Sequence, residues 1–423
     1  MVDATEAPSA RAGAGSLTWR SLPLASAIAI VGLTAAGLSP TLSLFLANAV
    51  HSAPVLIGLF FTARAAAGIM AGLATGWVSD RMRDRRVLLG LVSVGGAVGA
   101  LCLALLRDYT WLLVTCVVFT SIGSGAFGQL FAYANESATA GGRDVTAYSS
   151  LMRSVFSAAY VVGAPLSLSI MARYGFRPLY LGVAALTLGS AVIGRWGLRR
   201  VPRKMIPAAL PASGDTGEDA SVAGAEVAER RTPWRVLRGA SLPARVWLLL
   251  GVILVLGTVN QMYSIDIALH VTKDLGRSAE LVGWMLGLTA AMEIPVMITA
   301  GRLAARVGSG RLVGLSAVLA TVCYCLIPLV SSPGALLGVA ALFGVWQGVA
   351  LSIPMVMVQN ESPGGVGTSS SIYGAAFGSA GLVAGAITGV TASAVGYGGV
   401  LWVCAGLSAI AVALMLARFA VRR

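Results

Sequence analysis

The chain has 423 residues, of which 57% are hydrophobic and only 11% charged, and its mean hydropathy is +0.83. Soluble domains carry about 25% charged residues, so this chain cannot clothe a water-facing surface; a soluble multidomain enzyme is excluded and a polytopic helical membrane protein is predicted. The net charge of +13 has to be read by its location along such a chain, and it is not a nucleic-acid footprint.

Residues 1–22 form a short polar tail of mixed sign. The apolar run after it exceeds a signal-peptide core of about 7–15 residues and is taken as the first span. Apolar runs between charge clusters and Gly, Pro or Asn turns then predict helices at 23–47, 54–79, 87–106, 110–134, 146–172, 177–197, 244–270, 280–305, 312–331, 334–358, 367–393 and 398–418. Residues 199–243 break the pattern with Pro, Gly, Ser and acidic residues between Arg clusters. They cannot bury enough apolar surface to fold alone and are predicted to be a flexible cytoplasmic linker. The linker divides an N-terminal half, 23–198, from a C-terminal half, 244–418, with 419–423 as a cytoplasmic tail. Cys102, Cys116, Cys323, Cys325 and Cys404 all lie in apolar runs. Their spacing fits neither a metal site nor a disulfide frame, so they are read as small core residues.

Arginine marks the sides. One set of loops collects Arg81, Arg83, Arg85, Arg86, Arg143, Arg302, Arg306 and Arg311, while the other has Arg107, Arg173, Arg177, Lys273 and Arg277. The positive-inside rule then puts both termini in the cytoplasm. The halves also repeat. With a shift of 225, Gly58, Gly76, Arg81 and Arg86 fall on Gly283, Gly301, Arg306 and Arg311; with a shift of 221, Ser149, Phe156 and Gly175 fall on Ser370, Phe377 and Gly396. Two parallel six-helix repeats joined by a linker is the arrangement of the major facilitator halves. The predicted fold is therefore an all-α membrane protein of that type, twelve transmembrane helices in two six-helix pseudo-repeats.

The junction after the second span reads Gly76-Trp-Val-Ser-Asp80-Arg81-Met-Arg83-Asp84-Arg85-Arg86. It resembles the loop signature of the major facilitator superfamily, departing from it by Arg83 where glycine is usual and by the inserted Asp84. The resemblance implies a cytoplasmic gate built from Gly76, Asp80, Arg81, Arg85 and Arg86, a charge network that holds in one state and releases in another; the plainer reading is positive-inside anchoring. The strings SDRMRDRR (79–86), QMYSIDIAL (261–269) and GLTAAMEIPVMITAG (287–301) resemble the bacterial sugar efflux transporter family. That resemblance implies export of sugars and sugar analogues by proton antiport. A partial antiporter signature, Gly163-Ala-Pro165, points the same way.

A charge at mid-bilayer costs about 2.5–3.5 kcal/mol on insertion scales, so it faces a cavity and has a partner. Glu293, Arg64 and Arg153 are such residues. By resemblance to the fold, the fifth and eighth spans face each other, which makes Arg153 and Glu293 a candidate proton-coupling pair; the alternative is a static salt bridge. Arg64 stands where the family resemblance implies a small residue. With it, Gln129, Asn260, Gln261, Tyr263, Asp266, Gln347 and Tyr373 offer a hydroxyl-rich ligand donors and acceptors, or else bond helix to helix. Trp284 and Trp346 offer flat faces for sugar rings.

The expected function is a secondary transporter of the cytoplasmic membrane that exports sugars or similar small polar molecules against protons. It needs no cofactor or metal, no nucleic-acid partner and no second subunit; its partners are the substrate, protons and the lipid bilayer. A drug exporter of the same fold is the nearest rival, kept open by Met262, Met285 and Met292. A membrane-embedded enzyme is disfavoured: the only histidines are His51 and His270, and no loop holds a catalytic constellation.

Overall fold

The computed structural model describes residues 21–82, 84–141, 143, 145–198, 243–362 and 366–421, all of it helix and short turns. The predicted linker, 199–243, lies almost wholly outside the described residues. The first six helices are α1 (Leu22–Asn48), α2 (Pro54–Arg81), α3 (Arg85–Leu105), α4 (Tyr109–Ala140), α5 (Val145–Tyr174) and α6 (Phe176–Val192). The second set begins with α7 (Ala244–Leu269), α8 (Ala279–Val307), α9 (Ser309–Leu326) and α10 (Pro333–Glu361). Helix then runs from Val366 to Ala420, broken at Gly396 by φ 78° and ψ 177°. Unbroken, those 55 residues would reach about 82 Å, far beyond a bilayer core of about 30 Å. The break turns them into α11 (366–395) and α12 (397–420), completing twelve spans. Among the described residues eleven helices, counting the broken one once, are long and apolar enough to cross a membrane.

Local chemistry fixes the tight turns. Asp108 accepts from the amides of Thr110 and Trp111 at 3.0 and 3.1 Å, starting α4 after a connection of three residues, 106–108. Ser332 accepts from the Ala335 amide at 3.3 Å and Pro333 opens α10, where its missing N–H is no loss. The α5–α6 turn hinges on Gly175 at φ 85°, ψ −177°. Gly396, its counterpart under the shift of 221, has nearly the same angles, 78° and 177°. A β-carbon is strained in that region of φ, so the internal repeat is written into backbone geometry as well as sequence.

Large apolar side chains cover the outside, among them Leu91, Trp111, Trp284, Leu315 and Leu416. That surface suits lipid tails. All five cysteines are free; Cys116, Cys323 and Cys404 are buried, while Cys102 and Cys325 are half-buried.

The two halves meet as a wedge. α2 crosses α11 where a methyl on Gly58 would stand 2.4 Å from Gly389 Cα and 2.5 Å from the Gly385 carbonyl. One on Gly381 would be 3.3 Å from Ala65 Cβ, and one on Gly378 3.7 Å from Ile69; at Gly72, Gly76 and Gly374 nothing lies within 4 Å. The helices therefore separate steadily towards the end of the bundle where α1 begins and α12 ends, here called the terminal end. At the opposite end α5 and α8 also touch, with Gly283 and Gly287 against Ala164, Pro165 and the Val161 carbonyl. Arg173 and Glu280 add an exposed ion pair there at 3.4 Å. Such a pair is worth about 0–1 kcal/mol, so the small-residue contacts carry the closure.

Candidate functional site

Behind the wedge lies a cavity of about 230 Å³ between the halves, lined by Phe156, Ser157 and Tyr160 of α5, Asn260, Tyr263 and Ser264 of α7, Thr289 and Glu293 of α8, and Gln347 of α10. Glu293 is the central residue of α8, and is half-buried. It forms no ion pair or hydrogen bond among the described residues. Pro295 follows two positions on, leaving one backbone carbonyl of that turn without its helical donor. α8 is held by Thr289, whose hydroxyl donates to the Ala340 carbonyl of α10 at 2.9 Å.

Arg153 is not Glu293's partner. It is exposed and lies over the Phe131 ring of α4, 5.7 Å from the centroid. The physical reason is the wedge: α5 and α8 touch at Pro165 and Gly287 and diverge from there. Side chains tilt towards a helix N-terminus, which for α5 is the terminal end. Ser157 and Tyr160, one and two turns on from Arg153 on the same face, reach the cavity instead. Sequence reasoning overlooked both, although the i, i+4, i+7 spacing from Arg153 carried the signal.

Asp266 does not line the cavity either. It is 0% exposed with neither carboxylate oxygen partnered. At 100° per residue it lies about 120° from Asn260, outside the Asn260–Tyr263–Ser264 face, and it faces Tyr397 and Cys404 of α12. Tyr263 borders the cavity but is 2% exposed, its ring stacked on Phe343 at 4.0 Å. Gln261 turns to Gly381 on α11. Gln129 is buried and accepts from the Ser79 hydroxyl at 3.0 Å, tying α4 to α2. Tyr373 stacks near Phe377 at 6.1 Å and, with Asn260 and Gln347, edges a void of about 10 Å³, room for about one water. The tryptophans exchange their expected settings with lipid and core: Trp284 is 62% exposed, and Trp346 is 1% exposed among Tyr324 and Phe343. Neither offers a stacking face to the cavity.

Arg64 lines a different cavity. It is ten residues into α2, about 15 Å along the helix and thus near mid-bilayer. A space of about 280 Å³ there is bounded by α1, α3, α4, α5 and α6. Phe156 walls both cavities.

At the terminal end the described signature side chains bond within their own half. Arg81 packs over Trp77 at 3.7 Å and donates to its carbonyl at 3.2 Å. Arg86 donates to Asp84 at 2.9 and 3.0 Å and to the Leu198 carbonyl at 2.9 Å, stapling α3 to the end of α6. Gly76 has open space beside it. The side chains of Asp80 and Arg85, and Arg83 altogether, lie outside the described residues. In the other half Arg418 meets Glu361 at 2.5 and 2.7 Å and the Arg245 carbonyl at 3.3 Å.

No group of three or more His, Cys, Asp or Glu that could hold a metal occurs among the described residues.

Comparison with known proteins gives a consistent picture. A profile of the Major Facilitator Superfamily matches residues 24–270 and 249–423. Sugar efflux transporter A of Escherichia coli (strain K12) is 32% identical over 386 residues, 91% of this chain and 92% of that protein. Sugar efflux transporter B of Salmonella typhimurium is 32% identical over 374 residues, 88% and 89% of the two chains. Among solved structures, the nucleoside transporter NupG superposes with a TM-score of 0.76 at 14% identity, covering 96% of this chain and 100% of that one. At that identity the likeness is one of fold.

Proposed function

Because this chain belongs to the major facilitator superfamily as a multi-pass membrane transporter rather than an enzyme, we propose that it exports sugars or sugar-like small polar molecules in exchange for protons. The relatives named above as sugar efflux transporters, about a third identical over almost the whole chain, support the substrate class. The positive-inside pattern supports cytoplasmic termini in a cytoplasmic membrane, which makes the present wedge open to the cytoplasm. Transport then proceeds by rocking of the halves, the Gly58–Gly389 and Gly287–Pro165 contacts parting as the terminal ends meet. One pathway lies between the halves of one chain, so a monomer suffices.

The observation that carries the coupling is the unpartnered carboxyl of Glu293 in a polar cavity between the halves. A carboxyl in that place holds a proton in one state and yields it in another, and its neighbours Asn260, Gln347, Tyr160 and Ser157 supply donors and acceptors for sugar hydroxyls. The exchange is one of position only: a proton taken from outside leaves Glu293 inwards as sugar moves outwards. Arg153 is proposed as a cation at the cavity mouth.

The test is counterflow of radiolabelled disaccharide in proteoliposomes, wild type beside Glu293→Gln, with and without an imposed pH gradient. Wild type should concentrate sugar only with the gradient, and the variant should exchange sugar without concentrating it. Movement of a lipophilic cation, with no movement of sugar, would overturn the substrate class.

A further inference from the structure

Arg64 has no counter-charge among the described residues. The described helices α1 to α6 contain no Asp or Glu apart from Asp80 and Glu136, near the terminal ends of α2 and α4. The ionisable side chains that face Arg64 are Cys116 and Tyr180, neither of them an anion at neutral pH. Its guanidinium makes no hydrogen bond among the described residues. A lone cation at mid-bilayer calls for an anion or for water, and this one lines about 280 Å³ of cavity.

The rest of the lining narrows the choice. Thr34, Thr120, Ser124 and Thr187 all border the space. Each donates its proton to a backbone carbonyl of its own helix, at 2.9, 2.6, 2.6 and 2.7 Å. What they present to the cavity is therefore lone pairs. Those accept from a ligand's hydroxyls and repel a bare anion. Ser39 borders the space too, with a hydroxyl that can donate or accept, so the Arg64 fork of N–H donors, one free hydroxyl and these acceptors fit a molecule with one anionic group and several hydroxyls. Phe156, on the wall shared with the Glu293 cavity, packs edge-on to Phe127 with ring centroids 5.0 Å apart. The shared aromatic wall gives a sugar ring an apolar face.

We propose that the Arg64 cavity is an acidic-saccharide subsite, in which the guanidinium holds a carboxylate or phosphate borne by a sugar. This rests on the sugar-transport reading and extends it from neutral sugars to sugar acids and sugar phosphates.

The experiment is isothermal titration of the full chain, purified in detergent in low-chloride buffer, with D-glucuronate, its uncharged amide D-glucuronamide, and inorganic phosphate. Wild type should bind glucuronate at least tenfold more tightly than glucuronamide. Arg64→Gln should shrink that ratio below twofold and Arg64→Lys should keep part of it. Equal binding of acid and amide by wild type overturns the proposal without any variant. So does inorganic phosphate binding as tightly as glucuronate, or a tenfold preference that survives in Arg64→Gln. If the amide binds and the acid gains nothing, only the subsite fails; if neither sugar binds at all, the sugar reading fails with it.

Discussion

A single methyl group tests the wedge. In Gly58→Ala the new carbon would sit 2.4 Å from Gly389 Cα and 2.5 Å from the Gly385 carbonyl oxygen, both of them backbone atoms that no rotamer change can remove. α2 and α11 must move apart by about 1 Å, and overpacking of this kind costs about 1–3 kcal/mol. Alanine also favours helix over glycine by about 1 kcal/mol, but α2 is helical in either conformer, so that gain drops out of their ratio. The strain falls only on the conformer closed at the opposite end, and its population relative to any other should drop roughly 5- to 150-fold. Spin labels at Gly72 and Gly374 report this. Both sites have open space beside them, and the five native cysteines can be replaced by alanine. The expected result is a new, shorter distance in Gly58→Ala as the terminal ends close. An unchanged distance distribution in a folded variant would mean that the helices do not meet at Gly58, and the closure argued here would be wrong.

Three further outcomes follow from the same geometry. Gly396→Ala and Gly175→Ala each force a β-carbon into φ near 80° with ψ near 180° and should cost about 1–3 kcal/mol, lowering the detergent melting temperature additively, because the sites are on different turns. Arg418→Ala removes two bonds to Glu361 and one to the Arg245 carbonyl; a loss of about 1.5–3 kcal/mol is expected, read as a melting shift that Arg418→Lys restores only in part. Trp346→Ala should destabilise by about 3–5 kcal/mol through the cavity it leaves, while Trp284→Ala, facing lipid at 62% exposure, should melt with wild type. Equal shifts for the two tryptophans would contradict their placement.

Depth along the bilayer was legible in the sequence, and direction around each helix was not. The spans, the matched turns at Gly175 and Gly396 and the mid-span place of Glu293 follow from run lengths, charge clusters and repeat shifts. These are one-dimensional properties, and hydropathy reads them well. Asp266, Gln261 and Gln129 lie at suitable depths but point into helix contacts, because which face meets the cavity depends on the neighbouring helices. In a uniformly apolar span no polar stripe marks that face. Arg153 and Glu293 were paired because the resemblance to the fold sets the fifth and eighth spans face to face, and they are separated by the wedge angle, which no residue pattern encodes. Trp284 and Trp346 illustrate the same gap, since lipid and core are equally apolar surroundings.

The absence of carboxylates from the interior of the first six spans also bears on how the protein is made. Synthesis delivers α1 to α6 to the bilayer before Asp266 and Glu293 exist. Arg64 must therefore insert with no acid anywhere near its depth, at about 2.5–3.5 kcal/mol on insertion scales. The hydroxyls of Thr34, Ser39, Thr120, Ser124 and Thr187, and the water their cavity admits, are what can receive it at that moment. The N-terminal half thus has to accommodate its buried cation during translation with its own residues alone.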